Sequence, residues 1–319
     1  MSSDYANRAK KYFKEYRQFD THHTVGIRNP MKKKPNLFVE KDKALVSRVK
    51  AAKNLKKTVE KAINLIGGLK KSFKKSDSIL LIPNYNSDNP YPASTDIKFL
   101  EAVIKILQDF GIKDITIGNA SGIHWLPTRY VFERMGVLTL AKKLNVKISC
   151  FEEKDWLMVN LNSDVLSNVS FAKEMFDYDK IVYLPCLKTH RRARFTMSLK
   201  LTMGLTCLKH RILNIHSGNI EEKLADLNKA VYPDLIIMDA RKIFVTGGPD
   251  TGKEKTLGLI YASGDRAAID FVGLKDLLKY KNEDNLLDKP NPEDYDQIKR
   301  AFKIGLGIKN KNQIKVINS

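Results

Sequence analysis

The sequence predicts an α/β protein: a largely parallel sheet with helices on both faces and some antiparallel strands near the C-terminal half. Three observations predict it. Short apolar runs of strand length alternate with amphipathic stretches of helix length from residue 43 onward. Several runs, such as "ILLIP", are apolar throughout, as strands covered on both faces are. The chain has 319 residues, 43% of them hydrophobic, which is ample for a buried core.

Residues 1–42 read as a basic extension, because "RNPMKKKPNLF" combines two prolines with a lysine run. The single α/β domain is expected over 43–319. "KALVSRV" reads as a strand, and "NLKKTVEKAINLIGGLKK" as a helix stopped by Gly67-Gly68. "DSILLIPN" is a buried strand. "STDIKFLEAVIKILQDFG" is a helix with Ser94 or Thr95 as its cap and Gly111 as its stop. "DITIGN" is the next strand, "PTRYVFERMGVLTLAKKL" a helix, and "VKISCF" and "KIVYLP" strands. "NIEEKLADLNKAV" is a helix and "PDLIIMDA" a strand. "RKIFVT" and "TLGLIYAS" flank the turn "GGPDTG" as two further strands. "GDRAAIDFVGLKDLLKY", capped by Asp265, and "NPEDYDQIKRAFKIG" close the set as helices.

Composition bounds the function. No stretch approaches 18 uncharged apolar residues, so membrane insertion is not expected. "MSSDYANRAKKYFKEYRQF" lacks the apolar core of a signal peptide, and the expected location is the cytoplasm. Cys150, Cys186 and Cys207 are far apart and form no CxxC pair, so no iron–sulfur cluster is expected. The net charge is +20, and residues 1–75 hold 21 Lys and Arg against 6 Asp and Glu. Such a field attracts anions, nucleic acid through residues 1–75 among them, although no RNA-recognition or zinc-finger pattern accompanies it. A lysine-rich solvated surface is the plainer reading.

Ligands of parallel sheets bind beyond the carboxyl ends of the strands. The segments to read are therefore "NYNSDNPYP", "GNASGIH", "KTHRRAR" and "GGPDTG". "GGPDTGKEKT" imitates a phosphate loop, but Glu254 stands where Ser or Thr would bind magnesium, and a strand follows where a helix is required. It is read as a turn whose Asp250 faces a site. "GNASGIH" is not a dinucleotide fingerprint. His210 and His216 are six apart and share no helical face, and His22 and His23 are read as surface.

From Phe195 to Cys207 the apolar residues take every odd position and Thr, Ser, Lys200 and Gly204 the even ones. Strict alternation is a strand signature, while Leu and Met favour a helix. Both readings stay open. In the strand reading Lys200 is a solvated residue on a threonine-rich face.

"ILLIPNYNS", "YLPCLKTH", "LKLTMGL", "KHRILNIH", "DLIIMDARKIFVTGGPDTG" and "ASGDRAAIDFVGL" together resemble the prokaryotic family known as domain of unknown function 362, from about residue 43 to 280. Many members append a ferredoxin-like cysteine cluster, which is missing here. Relatives also tend to carry a lysine where Ile82 stands. A more distant resemblance is to the nickel-pincer lactate racemases, in which histidines, a cofactor-bearing lysine and a nickel-binding histidine follow in order. His124, His190, Lys200 and His216, at intervals of 66, 10 and 16, look similar. That resemblance implies catalytic roles for His124, His190 and Lys200, a metal role for His216, and a nickel-pincer-like nucleotide or divalent transition metal as cofactor. Asp88 corresponds to an acidic, proline-containing loop. The racemase's glycine-rich lead-in to its lysine is replaced by "RFTMSLK".

The residue types suit such a site. A lysine beside Arg191, Arg192 and Arg194, partly desolvated, has a lowered pKa and becomes a nucleophile or imine former. His124 and His190 exchange protons near neutral pH. The arginines hold a carboxylate or phosphate, and His216 with Asp239 or Asp250 holds a metal. The expected cleft uses Asn84, Asn86, Asp88, Lys188, Arg191, Lys200 and Asp250 for binding. The leading reading is a small-molecule enzyme with an anion-binding cleft, doing proton transfer on a hydroxy- or oxo-acid. The alternatives are a nucleic-acid or polyanion-binding protein and a non-catalytic metal or redox accessory protein.

Overall fold

A computed structural model describes residues 24–122, 126–216 and 218–319. The chain begins there with β1 (Thr24–Arg28), β2 (Val39–Glu40) and β3 (Lys43–Lys50). Helix α1 (Leu55–Leu65) is capped by Asn54, whose side chain accepts from the Lys57 amide. Strand β4 (Ile79–Pro83) is buried at every position. Helix α2 (Ile97–Phe110) is capped by Asp96, not by Ser94 or Thr95. Those two hydroxyls are buried and donate instead to the carbonyls of Ser87 and Leu184. Strand β5 (Ile115–Asn119) follows.

The expected helix over residues 128–144 is two. Helix α3 (Thr128–Arg134) ends before Gly136, whose left-handed φ of 74° breaks the hydrogen-bond ladder, and α4 (Val137–Leu144) begins after it. Next come β6 (Lys147–Cys150), β7 (Trp156–Asn160), β8 (Asn168–Ala172) and β9 (Lys180–Leu184). β7 and β8 are absent from the sequence-based set. They pair antiparallel, and β1 joins β7 in a small second sheet. β10 (Lys188–His190) and β11 (Arg194–Thr196) form a two-stranded ribbon.

The strand reading of 195–207 fails after Thr196. Residues 198–201 form one α-turn and 202–205 a 3₁₀ turn. The polar residues at even positions are not solvated: Thr196, Ser198, Thr202 and Thr206 are all buried. Helix α5 (Ile220–Leu227) precedes β12 (Leu235–Phe244) and β13 (Glu254–Ser263). "RKIFVT" is therefore no separate strand but the end of β12, joined through a register shift between Ala240 and Lys242. Helix α6 (Arg266–Leu277) is capped by Asp265 as expected, with the carboxylate accepting from the Ala268 amide. Helix α7 (Asp296–Lys303) and strand β14 (Ile314–Asn318) end the chain.

Among the described residues the main sheet has nine strands, in the order β14-β3-β13-β12-β9-β4-β5-β6 with β2 beside β3. The β12-β9-β4-β5-β6 block is parallel, and β13 is antiparallel to both β12 and β3. Successive residues of β4 serve opposite faces. Ile79 and Leu81 pack with Val59, Leu100 and Val103 of α1 and α2, while Leu80 and Ile82 join the core that includes Met197, Leu199 and Leu205. From β4 the chain builds β5 and β6 on one side, then crosses to β9 and β12 on the other. That reversal opens a crevice at the carboxyl ends of β4 and β9. Among the described residues no helix is long and apolar enough to cross a membrane.

Candidate active site

A cavity of about 420 Å³ fills the crevice, within the range of small-molecule sites. Loops after β4, β5, β9 and β12 supply its walls, and the turns over residues 198–205 and 208–216 close it. The loops are locked together by close approach. A Cβ at Gly122 would lie 1.6 Å from Asn86 Oδ1, and one at Gly248, at φ 74°, would lie 2.0 Å from the Thr189 carbonyl oxygen.

The wall is strongly cationic. Lys188, Arg191, Arg192, Lys200 and Arg211 line it, and among the described residues Asp250 is its one carboxylate. Asp250 Oδ1 accepts from Ser87 Oγ at 3.0 Å and from Asn86 Nδ2 at 3.3 Å. Lys188 is 1% exposed and donates to the Ala93 carbonyl, which also takes a bond from Asn84 at 2.9 Å. Burial lowers its pKa. Lys200 reaches the cavity from the 198–201 turn, where burial first, and Lys188 and Arg211 next, bring its pKa to about 7. Near neutral pH about half of this side chain is the neutral amine.

His190 is 5% exposed, and burial, with the charges of Lys200 and Lys188 beside it, presses its pKa well below the ordinary value. Its Nδ1 accepts from the amides of Arg192 at 3.2 Å and Ala193 at 3.3 Å. A neutral ring so held carries its proton on Nε2. His190 is therefore a fixed donor near pH 7, not the half-protonated shuttle that its residue type suggests. His216 is also kept neutral: burial and the charges of Lys200, Arg192 and Arg211 bring its pKa to about 4.

The structure brings together Asn84, Asn86, Lys188, His190, Arg191, Lys200, His216 and Asp250 of the expected cleft. It leaves Asp88 outside the wall. His124 lies outside the described residues. Asp239 does not meet His216: it is fully buried in β12, where Arg241 and the Tyr91 hydroxyl bond it. Arg194 turns away from Lys200 to pair with Glu221 and Asp288. The groups acting on His216 are cations, and among the described residues no three His, Cys, Asp or Glu side chains converge. Such surroundings do not suit a metal held by side chains.

Arg211 was missed by sequence reasoning. Only 2% exposed, it donates to the carbonyls of Ala120, Ser121 and Thr206, staking the 208–216 turn to the loop after β5. Its signal was a cation inside the apolar stretch "HRILNI", overshadowed by the two histidines around it.

A family profile described as "Domain of unknown function (DUF362)" matches residues 79–275. A thylakoid-associated protein of Synechocystis sp. is 29% identical over 221 residues, covering 67% of each chain. Among solved structures, the lactate racemase apoprotein from Thermoanaerobacterium thermosaccharolyticum superposes with a TM-score of 0.44 at 12% identity. The overlap covers 77% of this chain and 58% of that one.

Proposed function

The chain belongs to the family of domain of unknown function 362, and on that footing we propose that it is an enzyme acting on a small anionic acid, with Lys200 as its reactive group. One observation carries this reading: the buried Lys188 and Arg211, the half-buried Lys200 and the exposed Arg191 and Arg192 share a cavity with a single carboxylate among the described residues. Holding Lys188, Arg211 and part of Lys200 out of water with so little negative charge nearby costs free energy unless an anion joins them. The expected anion is a carboxylate or phosphate held by Lys188 and Arg191.

The most concrete form of the chemistry takes a 2-oxo acid. The neutral Lys200 amine adds to the carbonyl carbon, water leaves, and a protonated imine forms. That cation draws electrons from the adjacent carbon, whose proton then exchanges, and hydrolysis returns lysine and acid. His190, with its proton on Nε2, donates to the carbonyl oxygen as the amine adds.

Borohydride reduction in the presence of pyruvate, read by peptide mass spectrometry, tests the step. A reduced adduct on Lys200, absent from the Lys200→Ala variant, is expected. Deuterium entering the methyl group of pyruvate in heavy water should follow the same pattern. No adduct, together with small-anion binding that Lys188→Ala and Lys200→Ala leave unchanged, overturns the proposal.

A further inference from the structure

Lys200 sits on a turn too short to hold itself. Four residues of α-helix, 198–201, close few internal hydrogen bonds, and such a segment owes its shape to what surrounds it. Two buried side chains from other helices grip it. Asp270, in α6 behind the turn, accepts at Oδ1 from the Ser198 amide at 2.9 Å and the Ser198 hydroxyl at 2.7 Å. Its Oδ2 accepts from the Leu199 amide at 2.8 Å. Asn228, just beyond α5, donates to the Leu199 carbonyl at 2.8 Å and accepts from the Thr202 hydroxyl at 2.7 Å. Ser198, Thr202, Asn228 and Asp270 are each 0% exposed.

We propose that Asp270 and Asn228 are positioning residues that clamp the 198–202 turn and so hold the Lys200 amine in the cavity, an inference that rests on the role given to Lys200 above. Neither residue lines the cavity, so neither touches a ligand there. The clamp fixes the amide and carbonyl on the residue before Lys200 and the side chain two residues after it. Rotation of the turn, which would swing Lys200 away from Lys188 and toward water, breaks bonds on both sides at once. A fully buried carboxylate is a costly way to cap one helical turn. The same caps held by a serine or threonine would avoid that cost, whereas the two oxygens of Asp270 pin two successive amides and thereby the direction of the turn.

The test reads Lys200 itself. Acetylation by acetic anhydride, followed peptide by peptide from roughly pH 5 to pH 10, gives the protonation midpoint of each lysine. In the native protein Lys200 is expected to react at neutral pH at least about tenfold faster than exposed lysines. In Asp270→Asn the midpoint should rise by about one pH unit, a tenfold loss of neutral amine below it, as the lysine escapes toward solvent. The sign is diagnostic, because Asp270 is not among the charges that act on Lys200, so its loss without movement of the turn would leave the midpoint where it was. Thr202→Val removes one clamp bond, together with the 3.2 Å contact to the Tyr183 hydroxyl, and carries the test if Asp270→Asn does not fold; its expected rise corresponds to about a threefold loss of neutral amine. Unchanged or lowered midpoints in folded variants overturn the clamp. An ordinary lysine midpoint in the native protein instead overturns the role given to Lys200, and the clamp's purpose with it.

Discussion

Ser87 donates its hydroxyl to Asp250 Oδ1 at 3.0 Å across 163 positions of sequence. This bond, with the one from Asn86, ties the loop after β4 to the loop after β12 and aims a carboxylate at a cavity otherwise lined by cations. Asp250 raises the pKa of both Lys188 and Lys200, against the larger lowering from burial.

Replacing Asp250 by Asn removes the carboxylate and retains the shape. Lys200 then loses a stabilising neighbour for its charged form, so its protonation midpoint should fall further below about 7. Affinity for inorganic phosphate, measured by calorimetry, should rise severalfold because the cavity becomes more positive. A midpoint that stays in place would show that Asp250 has no electrostatic hold on Lys200.

Lys188→Met should trade function for stability. The native side chain is buried with a backbone carbonyl as its hydrogen-bond acceptor, and methionine fills similar space without a charge to desolvate. The Ala93 carbonyl keeps its bond from Asn84. Unfolding free energy should rise by about 1–3 kcal/mol, as seen when buried charges give way to apolar groups. Anion affinity should drop about tenfold with the loss of one charged hydrogen bond. Chemical denaturation and calorimetry of the same preparation check both halves.

Stability should also depend on pH through Lys200. The folded protein releases the Lys200 proton near pH 7, whereas the unfolded chain keeps it to the ordinary lysine range. Between these values the unfolded state binds more protons, so stability rises with pH and this contribution is complete only above the unfolded pKa. The melting temperature of the native protein should therefore gain on that of Lys200→Met between about pH 7 and pH 10. Parallel curves for the two proteins would count against a depressed Lys200.

The alternation of strands and helices was legible because each element carries its own periodicity. β4 is a run of five apolar residues, and α2 is an amphipathic helix with a glycine stop at Gly111. The placement of the site was legible for a related reason: in a parallel sheet the loops after the strands meet at one edge, so "NYNSDNPYP", "KTHRRAR" and "GGPDTG" converge. The 198–205 segment was not legible. Its alternation imitates a strand, while its shape is imposed by Asp270 and Asn228, residues 72 and 29 positions distant from their partners on the turn. β7 and β8 escaped notice because "WLMVN" and "NVSFA" gain their stability by pairing with each other and with β1, which no local pattern announces.

The sequence by itself determined the class of fold, the edge of the sheet where the cavity opens, and the cations that line it. Its residue types are local facts, and strand periods, helix caps and post-strand loops are local consequences of them. Tertiary structure alone decided what those residues are chemically. Lys200 becomes about half neutral near pH 7, His190 a fixed Nε2 donor, and Arg211 a buried strut because desolvation and hydrogen bonding depend on everything packed around a group. It also decided which residues stand apart, setting Asp239 with Arg241 and Arg194 with Glu221, since an ion pair forms with whichever charge the fold brings near.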